Sequence, residues 1–497
     1  MLQILLSQYV MPPVEVEDKA PPVWYDEDTL SYGETWQSAY SLSGSIGYTY
    51  GSYADLSGLS VKGGHPKGTA VLLNGLLINQ PQGGEADLSD LSTFLFSKAE
   101  VWEGGTTPYS IYGNLNLSYV PDTLGYLEVG SKGTVRGGMK WGSIGGEGGL
   151  ATRGRDSLLY AEAVWSFNGV FVDMRLSRKR TSGMEGFPQT AGVQGDVRLA
   201  LGTRWGNALL LRRTWKDWSG YYRHDNLRLS REVRIFGLIL GGTLEGVRST
   251  NVGSRWRPLL SLGKEFSLKW MYLSGGVWWD GRRSGYSSVL GVRGWMLYAE
   301  GFAASRIPSF DELYWEGYGA RGNPDLRNER SLGISTGFIH RYVRMDLYFR
   351  RFYDLIEWRP SGGIWRPGNV GAARVWGGEV KVAYGPLLLR YVRMWAYDDS
   401  GKRLIYRPRN SYYLRLSPRI RNLTLTTSIT YLDPRFTNPE NTRFVDYVLL
   451  VDVGVSVALG RVGVVLSANN VLNGRYYFVE RYPLPGRTFS LRAYLKP

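Results

Sequence analysis

The chain contains no cysteine and only three histidines, which narrows the chemistry open to it. Without cysteine there can be no disulfide framework and no thiolate metal site. His65, His224 and His340 lie far apart and lack the spacing of metal ligands. There is also no run of about 18 apolar residues, the length that a membrane-spanning helix needs. A helical membrane span is therefore excluded, and no metal centre is predicted.

Motifs that would suggest catalysis occur in the wrong context. Gly333–Gly337 fits the pattern G-x-S-x-G, but that serine is a nucleophile only on a turn between a strand and a helix. Here Leu332 and Phe338 flank it in an alternating stretch that predicts a strand. The glycine-rich run Gly142–Gly149 is not G-x-G-x-x-G and predicts a tight turn between two strands. We therefore predict that the protein is not an enzyme.

From about Gly125 to Pro497 the chain alternates apolar and polar side chains over many short stretches. In Tyr447–Leu459 the odd-numbered residues are all apolar, whereas Asp452, Gly454 and Ser456 have the opposite parity. Successive strand side chains point to opposite faces, so these strands have one apolar and one polar face. The apolar face could meet the core of a soluble sandwich or the lipid around a membrane barrel. Alternation alone does not separate these two structures.

Size, aromatic content and turn rhythm favour the membrane barrel. A soluble core seldom grows past roughly 250–300 residues, yet no linker interrupts the alternating region. Aromatic residues make up 14% of the chain, with 18 Trp and 34 Tyr, as girdles at two membrane interfaces require. Counting strands by their turns gives about 22, an even number typical of outer-membrane barrels. Short turns are predicted at 167–169, 205–207, 340–341, 384–386 and 459–461. Longer loops are predicted near 179–193, 247–254, 306–330, 359–370, 432–443 and 473–485.

The first part of the chain differs in charge from the rest. Residues 1–124 contain four lysines, no arginine and 14 acidic residues, a net charge of −10 that leaves +25 on the remainder. Opposite charges favour docking inside a lumen, although anionic lipid headgroups would explain the basic surplus equally well. We predict an all-β membrane protein: a 22-stranded antiparallel transmembrane β-barrel with an N-terminal α+β plug domain inside the lumen. Polar and charged contacts, rather than an apolar interface, are expected to hold the plug.

The parity of the strands also predicts where individual side chains point. Residues expected to face lipid are Met345, Leu347, Val451, Val453 and Val455. Residues expected to face the lumen are Arg344, Arg350 and Asp452.

Three ordered blocks of sequence resemble one family. The first comprises Val71–Gly75, Asn79–Pro81, Gly83–Gly84, Asp87–Leu88, Val101–Gly105 and Ser110–Gly113. The second comprises Arg306–Tyr314 and Gly322–Leu326, and the third Asn469–Tyr477 and Tyr482–Arg487. In order and spacing these blocks are similar to the plug, a barrel signature and the C-terminal region of TonB-dependent outer-membrane receptors. The resemblance covers the whole chain, although Lys62-Gly63 stands where the family's plug usually has Arg-Gly.

The resemblance implies a function, a location and a division of the chain. It implies energy-coupled uptake of a scarce, large ligand across the outer membrane of a Gram-negative-type bacterium. The partners would be a TonB-type inner-membrane energy transducer, outer-membrane lipid and a cobalamin- or ferric-siderophore-like ligand. A monomer without bound nucleic acid is expected. The implied divisions are a periplasmic coupling segment at 1–30, a plug at 31–124 and the barrel at 125–497.

The positions of residues within these three implied regions suggest which of them bind the ligand or the energy transducer. The coupling peptide that would add a strand to the energy transducer is assigned to Pro13, Val14, Glu15 and Val16. Ligand candidates in the plug loops are Tyr48, Tyr50, Tyr53, Asp55, Asn79, Gln80 and Gln82. Candidates in the longest predicted loop are Trp315, Tyr318 and Arg321. Each of these could equally be a girdle or loop-packing residue.

Two alternatives concern ions and function. Glu85, Asp87 and Asp90 could ligate a structural calcium ion, but solvated plug charges are the favoured explanation, and no other cofactor is predicted. A passive outer-membrane channel or adhesin could use the same barrel. A basic soluble β-protein that binds nucleic acid is suggested only by the net charge of +15.

Overall fold

The computed structural model describes residues 45–49, 57–88, 91–92, 94–96, 98–103, 107–119, 121–153, 156–181, 191–217, 219–268 and 270–495. The predicted coupling residues Pro13, Val14, Glu15 and Val16 and the candidates Tyr50, Tyr53, Asp55 and Asp90 lie outside these ranges. Within the ranges, no helix has the length and apolar character needed to cross a bilayer.

Within the described ranges, the plug contributes six strands and a short 3-10 helix at Pro66–Gly68. The strands are β1 (Ser45–Thr49), β2 (Ser57–Val61), β3 (Thr69–Leu73), β4 (Leu76–Leu77), β5 (Lys98–Glu103) and β6 (Gly113–Ser118). β1 and β2 form a hairpin, while the other four form a mixed sheet in the order β4-β3-β6-β5. Asn74 and Gly75 connect β3 to β4, and both have positive φ, as a two-residue hairpin turn requires.

The rest of the chain closes into the predicted antiparallel barrel. Its first half comprises β7 (Asp122–Gly130), β8 (Thr134–Gly142), β9 (Ile144–Arg153), β10 (Asp156–Phe167), β11 (Val170–Thr181), β12 (Gly192–Thr203), β13 (Gly206–Asp217), β14 (Gly220–Ile235), β15 (Leu238–Ser249), β16 (Gly253–Ser267) and β17 (Met271–Trp279). β18 (Ser284–Arg293) and β19 (Leu297–Arg306) follow, and a 3-10 turn at Ser131–Gly133 joins β7 to β8.

The long loops of the second half contain their own short strands and a helix. These elements are α1 (Phe310–Tyr314), β20 (Glu316–Gly317), β21 (Ala320–Arg321), β24 (Ile356–Ser361), β25 (Ile364–Asn369), β31 (Arg435–Phe436), β32 (Phe444–Val445), β35 (Tyr477–Val479) and β36 (Tyr482–Pro483). The barrel strands between them are β22 (Glu329–Ile339), β23 (Val343–Tyr353), β26 (Ala373–Tyr384), β27 (Leu387–Asp398), β28 (Asn410–Leu416), β29 (Arg419–Ile420), β30 (Leu423–Leu432), β33 (Val448–Leu459), β34 (Val462–Asn469) and β37 (Thr488–Leu495).

The predicted count of 22 strands is confirmed, but one predicted long loop is wrong: β15 ends at Ser249 and pairs with Gly253 at the start of β16, so the connection near 247–254 is a three-residue turn. β28 and β29 both pair with β30 on either side of Pro418, which has no N–H to donate, so they form one interrupted strand. With that pair counted once, 22 strands close where β37 pairs with β7. The long loops all lie at one rim, here called the long-loop rim, which also has several short connections, and the opposite rim has short turns. The G-x-S-x-G segment lies inside β22, so the prediction that it is a strand is also confirmed.

The side chains point as parity predicted. On β23, Leu347 is 64% exposed on the outer face, whereas Arg350 on the inner face is fully buried. Met345, Val453 and Val455 are exposed on the same outer surface, and Val451 is half-buried. Near the long-loop rim the outer face carries neighbouring aromatic rings, as a membrane girdle should. Successive contacts join Tyr391 to Tyr412, Tyr412 to Tyr431, and Tyr431 to Tyr447.

The expectation of a mainly polar plug interface is wrong in one respect. A single apolar cluster contains buried residues from both the plug and the barrel wall. Plug members include Leu76, Leu88, Phe94, Leu95 and Phe96, and barrel members include Tyr126, Val164, Phe171, Ala200 and Leu209. These barrel residues point inward on strands that carry charged inward neighbours, so the strand pattern did not reveal that they meet apolar plug side chains. Burial of apolar surface therefore adds to the polar contacts described below.

Candidate ligand site at the plug and long-loop rim

The plug loop after β4 is held by one asparagine. Asn79 is fully buried, and its Oδ1 accepts a hydrogen bond from the Val71 N–H at 2.7 Å. Its Nδ2 donates to the carbonyl oxygens of Thr69 at 2.9 Å and Gly84 at 3.1 Å. Half-buried Gln80 closes the loop through its backbone, which bonds to Glu85 and Gly84. Asn79 thus fixes the loop, and the assignments of Asn79 and Gln80 to a ligand stay predictions.

Helix α1 of the long loop is seated directly on this plug loop. Ser309 caps the helix, and the backbone N–H of Ser309 donates in return to the Glu312 carboxylate, which completes a capping box. The next two helical N–H groups have plug partners: Phe310 donates to the Pro81 carbonyl at 3.4 Å and Asp311 to the Gln82 carbonyl at 2.9 Å. Plug carbonyls therefore satisfy donors that a helix N-terminus always leaves free.

A buried arginine holds the base of the helix to the barrel. Arg306, at the end of β19, donates to the Glu329 carboxylate at 2.5 Å and to both oxygens of Glu312 at 3.1 Å. All three side chains are almost completely buried. Burial would raise the pKa of the Glu312 carboxyl, but the nearby charges of Arg306 and Lys67 outweigh it and lower that pKa to about 2. Glu312 is consequently ionised and locked at any physiological pH.

The neighbouring acidic residue, Asp311, has a raised pKa instead of a lowered one. Burial raises the pKa of Asp311 to about 7, although Lys67 of the plug and the hydrogen bond with Gln82 oppose the shift. Asp311 therefore changes charge near neutral pH at the contact between α1 and the plug. Glu85 of the plug lies in the same charged surroundings, and burial raises the pKa of its carboxyl as well.

Aromatic rings extend from this contact towards the outer tip of the loop. The His224 ring on β14 lies 6.4 Å from that of Trp315, which lies 6.4 Å from Tyr318 in a stacked arrangement. Tyr318 is 54% exposed and lies 5.0 Å from Tyr222. Its hydroxyl bonds to Asp217 at 3.4 Å. We call His224, Trp315, Tyr318 and Tyr222 the aromatic ladder.

Gln82 joins the aromatic ladder to the plug. Its Nε2 lies 3.1 Å from His224 Nδ1, and its backbone N–H donates to Asn226 Oδ1 at 3.0 Å. Of the predicted ligand residues, the structure thus brings Gln82, Trp315 and Tyr318 into one connected group. Tyr222, His224 and Asn226 were not predicted. They share one parity on β14, and that parity was the available signal that they point inward together.

The remaining candidates lie elsewhere. Arg321 is exposed on β21. The preceding residue of that strand, Ala320, pairs in parallel with Trp365 of β25, so the two loops that contain β21 and β25 share a small sheet. The backbone of Tyr48 lies in β1, paired with Gly58 of β2. Asp87 bonds to Lys179 at 2.7 Å and lies 3.7 Å from Arg213, both barrel cations. Among the described residues no group of three or more His, Cys, Asp or Glu could hold a metal ion, and the calcium hypothesis stays a prediction.

Barrel arginines anchor the plug through its backbone. Arg228 donates to the carbonyls of Leu77 at 3.2 Å and Asn79 at 2.8 Å. Arg350 donates to Val61 and Tyr112, and Arg407 to Gly63 and Gly64. These bonds depend on plug conformation rather than on plug side chains. The cationic side chains of the barrel therefore find partners in the plug beyond its acidic side chains, because plug carbonyl oxygens also accept hydrogen bonds from them.

Comparison with known proteins agrees with this architecture. A family model described as "TonB dependent receptor-like, beta-barrel" matches residues 21–473, most of the chain. The chain belongs to the TonB-dependent receptor family. The vitamin B12 transporter BtuB from Photobacterium profundum is 26% identical over 206 residues, which cover 38% of this chain and 34% of that protein. The match therefore spans about a third of the curated relative's length.

Solved structures share this fold over most of the chain. The FrpB iron transporter from Neisseria meningitidis (F5-1 variant, apoprotein form) superposes with a TM-score of 0.68 at 11% identity, covering 95% of this chain and 98% of that chain. A mutant of the ferric enterobactin receptor PfeA from Pseudomonas aeruginosa, solved with enterobactin, gives 0.65 at 14% identity over 93% and 97%. These superpositions show a shared fold and leave the ligand of this chain open. The named relatives are transporters and receptors rather than enzymes.

Proposed function

We propose that the protein is an outer-membrane receptor for energy-coupled uptake of a scarce, large ligand such as a corrinoid or a ferric siderophore. One observation carries the proposal: α1, at the base of the loop that bears Trp315 and Tyr318, hydrogen-bonds to the plug loop at Pro81 and Gln82. A ligand on the aromatic ladder would therefore press on a loop that is bonded to the plug. That link gives a physical route from ligand binding to the plug.

The chemistry of the aromatic ladder suits a ligand with both apolar faces and polar edges. Aromatic rings offer large contact area, and Tyr318, which is 54% exposed, and half-buried His224 also carry polar atoms. Corrinoids and ferric chelates both have this mixed character. The named functions of two relatives, vitamin B12 transport and ferric enterobactin reception, fall in the same two classes, and a third relative is named as an iron transporter.

Binding can be tested on detergent-purified full-length protein with cyanocobalamin and ferric enterobactin as probes. Loss of one stacked ring costs about 0.5–1.5 kcal/mol beyond area burial, so Trp315→Ala and Tyr318→Ala should each weaken binding several-fold to about ten-fold. Trp295→Ala is the matched control, because Trp295 is 89% exposed at the short-turn rim. Unchanged affinity in both ladder variants would remove the aromatic ladder from the binding site.

Energy coupling is tested at the predicted peptide Pro13–Val16. Strand addition to a TonB-type transducer depends on backbone N–H groups, which proline lacks. Val14→Pro and Val16→Pro should abolish accumulation of ligand in cells, while Val14→Ala and Val16→Ala should have mild effects. Surface binding should survive in all four variants. Normal accumulation in both proline variants would instead support a passive channel.

A further inference from the structure

The contact between α1 and the plug holds more acidic side chains than cations. One plug lysine, Lys67, is the common charged neighbour of three acidic residues: Glu85, Asp311 and Glu312. Arg306 is the other cation at this contact, and it is already shared between Glu312 and a second glutamate on β22. Buried charges are stable only when they are paired, so this excess of acidic groups favours the binding of a proton.

Asp311 is the acidic residue of the contact that lacks a cation of its own. Its Oδ1 atom is buried and accepts no hydrogen bond from any residue that the structure describes. The Gln82 side chain donates to the carboxylate and Lys67 attracts it, but burial outweighs both and raises its pKa to about 7. A proton removes the charge, and with it most of the cost of a buried carboxylate oxygen that no donor satisfies.

The other titratable groups near the contact are less suited to this role. Burial raises the pKa of the Glu85 carboxyl as well, but Glu85 belongs to the plug loop and also faces Arg213 of β13. Burial lowers the pKa of His65 to about 3, so this imidazole is uncharged at neutral pH. The glutamate beside Asp311 on α1 stays ionised, as described above. Asp311 is therefore the residue on the loop side of the contact whose charge changes on the approach to neutral pH.

The position of Asp311 links its charge to the seating of the long loop. Asp311 donates its backbone N–H to the Gln82 carbonyl at 2.9 Å, so the residue that binds the proton is also bonded to the plug. We propose that one proton on Asp311 holds the long loop to the plug, and that its loss loosens this contact as the pH at the long-loop rim rises. The meaning of this regulation for uptake rests on the function proposed above.

The linkage between proton binding and loop seating gives the size of the effect. When α1 lifts from the plug, Asp311 becomes solvated and its pKa returns to the ordinary value of 3.8, so the lifted loop releases the proton that the seated loop binds. The ratio of lifted to seated loop should therefore rise with pH between about 4 and 7 and level off above 7. From about pH 5 to about pH 7 the rise should be roughly fifty-fold, since one proton is released per loop.

Thiol labelling of the ligand-free, full-length protein in detergent measures this ratio. The chain has no cysteine, so Leu313→Cys introduces a single thiol, at a position of α1 that is 2% exposed. A water-soluble methanethiosulfonate reagent reaches this thiol only when the helix lifts, and division by the rate of a small free thiol at each pH removes the effect of thiolate formation. The corrected rate should rise roughly fifty-fold from about pH 5 to about pH 7 and stay level above. Because no ligand is present, the result does not depend on which ligand the receptor takes up.

Two second substitutions in the Leu313→Cys protein test the assignment to Asp311. Asp311→Asn cannot ionise, so its corrected rate should stay low and change less than about three-fold over the same range. Glu85→Gln should keep the rise but move it to lower pH, because the charge of Glu85 helps to raise the pKa of Asp311. A rise that persists in Asp311→Asn, or one that disappears in Glu85→Gln, would overturn the proposal.

A thiol in a different long loop provides the matched control. Val445 is 6% exposed on β32, and Val445→Cys in the otherwise unaltered chain should show no such rise. An equal rise in Val445→Cys, or a flat profile in Leu313→Cys, would contradict a contact controlled by one proton. If Leu313→Cys does not fold, as judged by its mobility on unheated gels, Ile307→Cys, at a position that is also 2% exposed, serves in its place.

Discussion

Removal of Arg306 should loosen the long loop without unfolding the barrel. Arg306 is the shared partner of Glu312 and Glu329, and all three side chains are almost fully buried. Arg306→Met would leave two carboxylates buried without their cation. Breaking a buried pair in this way typically costs about 3–5 kcal/mol, because the remaining charge is neither solvated nor paired.

The pKa of Glu312 gives a second measure of how strongly Arg306 stabilises the folded loop. It lies at about 2, against an ordinary value of 4.5, since Arg306 and Lys67 outweigh the burial that would raise it. A depression of more than two units corresponds to about 3 kcal/mol of stabilisation of the folded loop. Because the folded pKa is the lower one, this stabilisation is complete above pH 4.5 and is lost as the pH falls towards 2. The typical cost of a broken buried pair and the lowered pKa of Glu312 therefore both indicate a loss of at least about 3 kcal/mol in loop stability at neutral pH.

Hydrogen–deuterium exchange measures the effect at the residues concerned. A loss of about 3 kcal/mol should raise the opening-limited exchange of Ile307–Trp315 roughly a hundred-fold in Arg306→Met. Arg327→Met is the matched control on the same loop, because Arg327 is 72% exposed in its pair with Asp354 and such pairs contribute little. Adding Glu312→Gln and Glu329→Gln to Arg306→Met should recover part of the protection. Exchange within about three-fold of the unaltered protein in Arg306→Met would refute this account of the loop.

Three further predictions concern pH, the lipid face and the plug. Burial raises the pKa of Asp311 to about 7, so the stabilising contribution of its protonated carboxyl is complete below about pH 4 and is lost as the pH rises to 7. Exchange of α1, corrected for intrinsic rates, should therefore increase between about pH 4 and 7 and level off above pH 7, and Asp311→Asn should abolish that dependence. Val453→Arg places a charge on the lipid face and should cost roughly 2–4 kcal/mol in denaturant unfolding from bilayers, whereas Val453→Leu should be nearly neutral. Deleting residues 1–120 should turn the barrel into a large ion-conducting pore in planar bilayers, and conductance no greater than that of the full chain would argue against the plug.

Much of the barrel was encoded locally and could be predicted. Strand side chains alternate with a period of two, so Met345 and Leu347 had to share a face opposite Asp346 and Arg350 whatever their neighbours were. Turn chemistry acts over two or three residues, and Asn168-Gly169 has the positive φ that its sequence predicts. The ordered motifs then supplied the family.

The candidate site is formed by contacts between residues distant in sequence, and the sequence predicted only some of its residues. Gln82, Trp315 and Tyr318 were proposed separately from their loops, but their meeting with Tyr222 and His224 requires β14 to stand beside the loop after β19. No local pattern determines that arrangement. Asn79 shows the same difficulty, since an amide in a plug loop could contact a ligand or, as found, bind its own backbone.

The sequence by itself determined the strands, their faces, the closed barrel and the opposite charges of plug and barrel, because these follow from local periodicity and composition. The tertiary structure alone decided which charges meet. It placed Arg228, Arg350 and Arg407 on plug carbonyls and seated α1 on the plug loop. The physical reason is that register and closure bring together residues separated by more than a hundred positions, and no single strand carries that information.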